Sequence, residues 1–535
     1  MVYRLFVALL IVILGVGLAA AQDETYRGSL DANNEEDQYE FILKKGESVL
    51  ITAEAVSGDL DTVITLYGPD GAMLAENDDR NGDTLDSALG FTAVDTGSYT
   101  LTIARYDGQN TSGNYELQIT IGGEDILEPL IALTSIELSG PGLTIDTPNF
   151  RIHYTLEGID RTTEAFAQEV AKTMEEVWRI QIEQMGWPAP VPDGMNGGDG
   201  RLDVYLVDML EEEGEGALGM ATPGDLYGDN PATEMVERYA ASATLQLDND
   251  FVEIESKEQT AVELMRATAA HEFHHAVQFG YDANDPYSWY FESTAVWMEI
   301  ATFPKDQDAV GYVDNNYDYP EICFGATDEP SDGLLQYGEW MFIQSLVDAY
   351  GRKVVHELWE NVARHDGFEA LEETLAAYGD TVEAALARYR LQNVVRDYKF
   401  ATYFDEETLL WLEDRIVGGG RWVPSDGAQE LGANYFAFVP GDGTFNVTIS
   451  GDDNRLRLWG IGVRGEEADT FDLGRGGNLS ADGYDHMYVM VFNPEYDNNL
   501  NDCAYVDYAL RVTAANGALA RVSSTLNARY FLPLK

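Results

Sequence analysis

Three of the chain's seven histidines stand within one five-residue string, His271-Glu272-Phe273-His274-His275. The string has the form H-E-x-x-H, which on a helix places its first and last imidazoles on one face, about 40° apart. Both can therefore reach one metal ion, while Glu272 stands beside that ion, where a base could take a proton from water. The alternative is a chance string on a helix whose histidines pair with surrounding carboxylates.

Zinc fits these residue types, because it accepts imidazole and carboxylate ligands. A catalytic zinc site needs three protein ligands and one open position, so the third ligand must come from elsewhere in the chain. Glu292, within Trp289-Tyr290-Phe291-Glu292-Ser293-Thr294-Ala295, opens a second predicted helix. Glu299 follows two turns later on the same face and could also complete the set.

This arrangement resembles the gluzincin metallopeptidases, in which a helical H-E-x-x-H supplies two zinc ligands. In that family the following helix supplies a glutamate within a W-x-x-E-x-x-A-like string. The resemblance implies that His271, His275 and Glu292 are metal ligands and that Glu272 is the general base. Glu299 is the reserve ligand.

Peptide hydrolysis also needs a hydrogen-bond donor for the oxyanion of its tetrahedral intermediate. Tyr337, at the start of another predicted helix, resembles the tyrosine that some gluzincins place there. His356 and His365 are alternative donors, and a plain packing role for Tyr337 stays open.

A strand precedes the histidine helix, with the sequence Ala243-Thr244-Leu245-Gln246-Leu247. It resembles the edge strand against which zincins lay an extended peptide, and an open edge would bind a substrate backbone by strand addition. An ordinary internal strand is the other interpretation.

Residues 145–415 mix both hydrophobic periods, which is typical of an α+β domain, and we expect a zincin-like fold there. The predicted strands are Phe150–Thr155, Leu202–Val207 and Ala243–Leu247. The predicted helices cover residues 161–185, 260–280, 290–301, 334–350, 353–364 and 381–397. Opposite the histidines, the second of these helices carries an apolar stripe of Val262, Met265, Ala269, Phe273 and Ala276.

Residues 22–122 alternate with period two between turn signals, which predicts a small all-β sandwich. Its strings Tyr39-Glu40-Phe41, Ser57-Gly58-Asp59-Leu60-Asp61 and Gly97-Ser98-Tyr99 resemble the bacterial pre-peptidase C-terminal domain, an accessory β-sandwich of secreted peptidases. Residues 123–144 show no clear period, and we interpret them as a linker.

The alternation returns near the C-terminus, as in Tyr508-x-Leu510-x-Val512. We therefore expect a second β-sandwich over residues 416–535, either a diverged copy of the first or an independent sandwich. The predicted fold is multidomain, with a β-sandwich on each side of a central α+β domain.

The first residues read as a secretory signal peptide, with one early charge at Arg4, an apolar run from Leu5 and small residues up to Ala21. An uncleaved membrane anchor is the alternative. Cleavage after Ala21 would give a secreted, extracellular protein with no stable membrane association.

The chain carries 94 acidic and 32 basic residues, a formal net charge of −62. Such an anionic surface repels nucleic-acid phosphates and acidic lipid headgroups, so we expect no nucleic-acid partner. The acidic, Gly-rich segments suggest Ca²⁺ binding, although none follows the regular calcium-loop pattern. Solvated carboxylates that bind no ion are the alternative. The candidate calcium ligands are Asp193, Asn196, Asp199, Asp203, Asp59, Asp61, Asp78 and Asp79.

Cys323 and Cys503 are the chain's two cysteines. Export would permit a disulfide between them, and two buried free thiols are the alternative.

These observations predict a secreted zinc metallopeptidase, an endopeptidase by preference, that acts on protein or peptide substrates. The competing hypothesis is an extracellular binding or adhesion protein built on a peptidase fold that no longer cleaves.

Overall fold

The structure is a computed structural model. It describes residues 22–32, 34–69, 71, 73–77, 85–93, 95–106, 111–122, 136–193, 197, 200–209, 218–252, 259–306, 308–326, 334–399, 410–438, 443–451, 455–465, 467–497 and 503–514. The predicted signal peptide and residues 123–135 of the predicted linker lie outside this set. The chain divides into two compact units, residues 1–284 and 285–535. The domain boundaries given above stay a prediction. Among the described residues, no helix combines the length and the apolar character needed to cross a bilayer.

The first unit begins with the predicted β-sandwich. Its strands are β1 (Gln22–Leu30), β2 (Glu36–Leu43), β3 (Ser48–Gly58), β4 (Thr62–Tyr67), β5 (Met73–Asn77), β6 (Ser87–Thr92), β7 (Gly97–Arg105) and β8 (Gly113–Gly122). One layer has the order β1-β8-β3-β6 and the other contains β2-β7-β4-β5. Alternate side chains such as Leu43, Ile51, Leu101 and Leu117 are fully buried between the layers. The predicted sandwich is confirmed.

The rest of this unit adds strands β9 (Gly142–Asp146), β10 (Phe150–Thr155), β11 (Leu202–Val207), β12 (Gly219–Gly228) and β13 (Ala240–Asp248). They extend the second sandwich layer into one sheet of order β2-β7-β4-β5-β12-β13-β11-β10-β9. Strands β10, β11 and β13 run parallel, and β12 lies antiparallel to β13. The bounds predicted for β10 and β11 match the observed ones.

Strand β13 is internal, because it pairs with β11 on one side and with β12 on the other. The expectation that residues 243–247 form an open edge is therefore wrong, and the internal-strand interpretation is correct. The neighbouring β12 was not predicted, since its Gly- and Pro-containing sequence lacks apolar alternation.

Two helices of the first unit lie against this sheet. Helix α1 (Glu164–Trp178) begins at Thr163, whose hydroxyl accepts from the Phe166 N–H, and it continues as a π-helix, Arg179–Gln184. Helix α2 (Ala261–Phe279) carries the histidine string and begins with a capping box between Thr260 and Glu263. These caps explain why both helices begin close to their predicted positions.

The second unit contains α3 (Ser288–Thr302), a 3₁₀-helix (Asp308–Tyr312), α4 (Val313–Asp318), α5 (Leu335–Gly338), α6 (Trp340–Tyr350), α7 (Lys353–Val362), α8 (Phe368–Ala377) and α9 (Val382–Val395). Its strands are β14 (Asp414–Ile416), β15 (Gly420–Trp422), β16 (Ala433–Phe438), β17 (Thr444–Ser450), β18 (Arg457–Arg464), β19 (Glu467–Gly474), β20 (Gly476–Ser480), β21 (His486–Phe492) and β22 (Ala509–Ala514).

These strands form sheets of order β14-β16-β21-β18-β19 and β15-β22-β17-β20. Buried side chains from both sheets, among them Phe436, Leu458, Val489 and Leu510, make one core. The second predicted β-sandwich is thus present.

Cys323 and Cys503 form a disulfide. Within the second unit it joins the segment after α4 to the segment before β22, and Leu335 of α5 packs against it. The disulfide, and not the free-thiol alternative, is what the structure contains.

Candidate metal centre

Helix α2 is buried on all sides from Ala267 onward, which fixes the histidine string. Phe273 packs against Phe150 of β10 at a ring-centroid distance of 5.6 Å and against Trp178 of α1 at 5.8 Å. The predicted apolar stripe is thus the face toward the sheet, except that Val262 in the first turn is 40% exposed.

His271, His275 and Glu292 come together. Each offers one ligand atom, and these three atoms all lie within 4.8 Å of one another. The two imidazole rings are perpendicular, with centroids 4.7 Å apart. Both histidines are buried and Glu292 is half-buried. Within the described part of the chain this is the one such group, and it could hold a metal ion.

The donor set fits zinc, which accepts two imidazole nitrogens and a carboxylate oxygen and keeps a further position open in catalytic sites. Glu299, the reserve ligand, does not belong to the group. It lies seven residues after Glu292 on the same helix, hence about 10 Å farther along the axis, too far to reach the same ion.

Helix α3, which carries Glu292, is anchored by its aromatic residues. Trp289 is fully buried and packs edge-on against Phe324 at 4.8 Å. The Tyr290 hydroxyl donates to the Gly367 carbonyl. The Trp297 indole N–H donates to Gln344 Oε1 at 2.9 Å. These contacts fix the helix on which the glutamate is mounted.

Glu272 follows His271 on α2 and lies against strand β12. Its side chain is 6% exposed, and Gly219 of β12 comes so close that a Cβ there would stand 2.7 Å from Glu272 Cγ. On the side of β12 away from β13, pairing among the described residues involves only Leu226, with Glu76 of β5. Among the described residues, the stretch 219–223 thus has no strand partner on that side.

A glutamine orients one of the candidate ligands. Gln278, fully buried and one turn after His275, has its Oε1 2.6 Å from His275 Nδ1. Sequence reasoning missed this residue, and its i, i+3 spacing from His275 is the signal that could have found it.

His274, the third histidine of the string, faces away from the metal group. It is fully buried, packs edge-on against Trp187 at 4.7 Å, and places its Nδ1 3.1 Å from Gln181 Oε1 of the π-helix. Gln181 Nε2 donates to the Ala270 carbonyl at 2.9 Å. His274 and Gln181 therefore hold α2 against the π-helix.

Tyr337 lies on α5, which packs against α3. It is half-buried, and its ring centroid is 5.2 Å from that of Tyr312. Burial, together with the charges of Asp308, Glu299 and Glu292, raises the pKa of Tyr312 well above its ordinary value. Tyr312 is therefore close enough to Glu292 and Glu299 to feel their charges, and Tyr337 lies next to Tyr312. Tyr312 was not foreseen, since nothing marks it among 30 tyrosines.

The two alternative donors lie on or after α7. Burial lowers the pKa of His356 to about 4, with a further contribution from the Lys353 charge. His365 is half-buried, and its Nδ1 lies 4.0 Å from Glu369 Oε2. Their assignment as donors remains untested.

The calcium prediction also remains untested. Asn196, Asp199, Asp78 and Asp79 lie outside the described residues. Asp203 is buried, and its Oδ1 is 2.7 Å from His153 Nε2. Burial raises the pKa of the Asp203 carboxyl.

The sequence of the chain matches two known protein families. It belongs to the family described as a family of unknown function (DUF6055), whose profile matches residues 160–449. Residues 35–105 match the bacterial pre-peptidase C-terminal domain, as the N-terminal strings predicted. No curated protein matches the chain.

Several solved structures are similar to parts or most of the chain. The pre-peptidase C-terminal domain of a Bacillus anthracis collagenase is 23% identical, covering 18% of this chain and 88% of its own, with a TM-score of 0.16. A catalytic domain of Clostridium perfringens ZmpB, solved with its CBM51-1 and CBM51-2 domains, is 9% identical and covers 91% of this chain and 76% of its own, with a TM-score of 0.20.

A metallopeptidase solved in complex with Tn antigen is 11% identical and covers 92% of this chain and 93% of its own, with a TM-score of 0.25. These scores record a distant likeness only. The functional argument rests on the residues of the site itself.

Proposed function

We propose that the protein is an exported zinc-dependent peptidase that cleaves protein substrates. The observation that carries the proposal is the convergence of His271, His275 and Glu292, with their ligand atoms all within 4.8 Å of one another, beside the buried Glu272. The pre-peptidase domain match and the disulfide support export.

Metal binding, proton transfer and oxyanion stabilisation would be carried out by different residues of the chain. His271, His275 and Glu292 would hold the ion, which when bound supplies a Lewis acid for the scissile carbonyl and lowers the pKa of water. Glu272 would take the proton from the attacking water and pass it to the leaving amine. The Tyr337 phenol would donate to the oxygen on which negative charge develops.

The substrate would be an extended segment of protein or peptide. Among the described residues, 219–223 of β12 have no strand partner on the side away from β13, and Gly219 lies against Glu272. A strand edge of this kind would bind a peptide backbone through main-chain hydrogen bonds without reading its sequence. The unpaired strand supports a peptide substrate. The solved structures, at 9% and 11% identity, do not indicate which peptide it is.

The test is zinc content and cleavage measured together on the purified mature chain. Glu292→Ala should lose zinc, whereas the matched control Glu299→Ala, on the same helix, should retain it. Cleavage of fluorescently labelled unfolded casein should follow the zinc. Absence of zinc in the parent after resupply would overturn the proposal. Retained zinc without cleavage, before and after proteolytic trimming, would instead support the non-cleaving binding protein.

A further inference from the structure

We propose that Gln278 is a positioning residue of the metal centre, whose side-chain carbonyl holds His275 in the tautomer that presents Nε2 to the ion. This inference rests on the proposed function, because it assigns a partner to one of the three ligands. Gln278 does not touch the reacting atoms; it acts through His275.

The hydrogen bond itself fixes the tautomer. His275 Nδ1 and Gln278 Oε1 are 2.6 Å apart, and the glutamine is fully buried. A neutral imidazole carries one N–H and one lone pair, and an amide oxygen can only accept. The proton must therefore sit on Nδ1, which leaves the Nε2 lone pair for the metal.

The bond also fixes the orientation of the ring. A ligating histidine commonly donates its other ring N–H to an outer acceptor, which lowers the entropy lost on metal binding and raises the basicity of the ligand. Because Gln278 lies on the same buried helix as His275, one turn later, the acceptor is held in register with the ring by the helix backbone.

A second histidine of α2 makes a comparable bond away from the metal group, with Gln181 of the π-helix. His274 Nδ1 is bonded to Gln181 Oε1 at 3.1 Å, and both residues are fully buried. His274 does not belong to the metal group. Two histidines of α2 thus make buried Gln–His bonds of the same chemistry, and only one of these histidines is a candidate ligand.

A neutral acceptor has a further consequence. A carboxylate at position 278 would add negative charge beside His275 and strengthen the hold on a divalent cation, whereas an amide orients the ring without changing the charge. We therefore expect zinc affinity to increase in the order Gln278→Leu, parent, Gln278→Glu.

The experiment is a competitive chelator titration of zinc affinity on the full mature chain, with helical circular dichroism as the folding control. Gln278→Leu should bind zinc roughly 10–100-fold more weakly than the parent. Gln181→Leu, which removes the other Gln–His bond, should unfold at lower temperature yet keep its zinc affinity within about threefold.

Each outcome decides between the alternatives. Equal zinc affinity in Gln278→Leu and the parent would overturn the inference and leave the zinc site intact, as would an equal loss in Gln181→Leu. If Gln278→Leu folds poorly, Gln278→Glu carries the test, since an affinity below that of the parent would contradict an acceptor role. A parent that binds no zinc overturns the proposed function, and this inference with it.

Discussion

Gly219 of β12 lies directly against Glu272 of α2. A Cβ at residue 219 would stand 2.7 Å from Glu272 Cγ, 2.9 Å from its Oε1 and 2.6 Å from Thr268 Cγ2. The strand that forms the edge beside the site therefore also limits where the glutamate side chain can go. Only a residue without a side chain leaves Glu272 its observed position.

We expect Gly219→Ala to lower kcat strongly while zinc content stays at the parent level. The added methyl group would stand within 3 Å of Glu272 Cγ and Oε1, so the glutamate side chain must shift. A misplaced base loses its alignment with the attacking water. Steady-state cleavage and zinc content of the same preparation check this. Gly224→Ala on the same strand, which would press on Ser242 instead, is the control.

Glu272→Gln should retain zinc and lose cleavage by a factor on the order of 10²–10⁴, because the amide keeps the shape of the side chain but cannot take a proton. Zinc content and kcat/KM measure the two effects separately. Glu263→Gln, at the exposed start of the same helix, should cleave as the parent does. Parent-like cleavage in Glu272→Gln would contradict its assignment as the base.

Tyr337→Phe should lower kcat by roughly 10²-fold with little change in KM, since an oxyanion donor acts in the transition state. The neighbouring Tyr312→Phe is the matched control, because the two rings are 5.2 Å apart and both tyrosines lie on the Glu292 side. A larger loss in Tyr312→Phe than in Tyr337→Phe would transfer the donor role to Tyr312.

The double variant Cys323→Ser with Cys503→Ser should unfold at a lower temperature than the parent. The disulfide spans 180 residues, and closing a loop of that length lowers the entropy of the unfolded chain, which stabilises the folded state by roughly 5 kcal/mol. Thermal unfolding with and without reductant checks this. Reductant should lower the parent's transition and leave that of the double variant unchanged.

The buried carboxyl of Glu339 should make the stability of the protein depend on pH. It is 1% exposed, and burial raises the pKa of its carboxyl from 4.5 to about 8, against the opposing effects of the Gly325 N–H and the Arg390 charge. Between these pH values the unfolded chain has released the proton that the folded chain keeps, so stability falls as pH rises, by on the order of 1 kcal/mol per pH unit.

Glu339→Gln should remove this contribution, since the amide oxygen can still accept from Gly325 and cannot ionise. We expect the variant to lose less stability than the parent between pH 5 and about 8, measured by urea unfolding at several pH values. Parallel pH profiles for the two proteins would show that the carboxyl does not titrate in this range.

Much of the site could be read from the sequence because its parts are local. The H-E-x-x-H spacing is a property of one helix, and the Thr260–Glu263 capping box fixes where that helix begins. The strands β10 and β11 were predictable because β10 alternates apolar with polar residues and β11 is a short, largely apolar run.

The tertiary structure alone decided the rest, because it depends on which segments meet. That the Glu292 carboxylate, and not that of Glu299, comes within 4.8 Å of the ligand atoms of His271 and His275 is seen only in the structure. The internal place of β13 likewise depends on its pairing with β12. The contact of Gly219 with Glu272 joins residues that no sequence period relates. Sequence periodicity reports which face of an element is apolar, but only packing determines what that face meets.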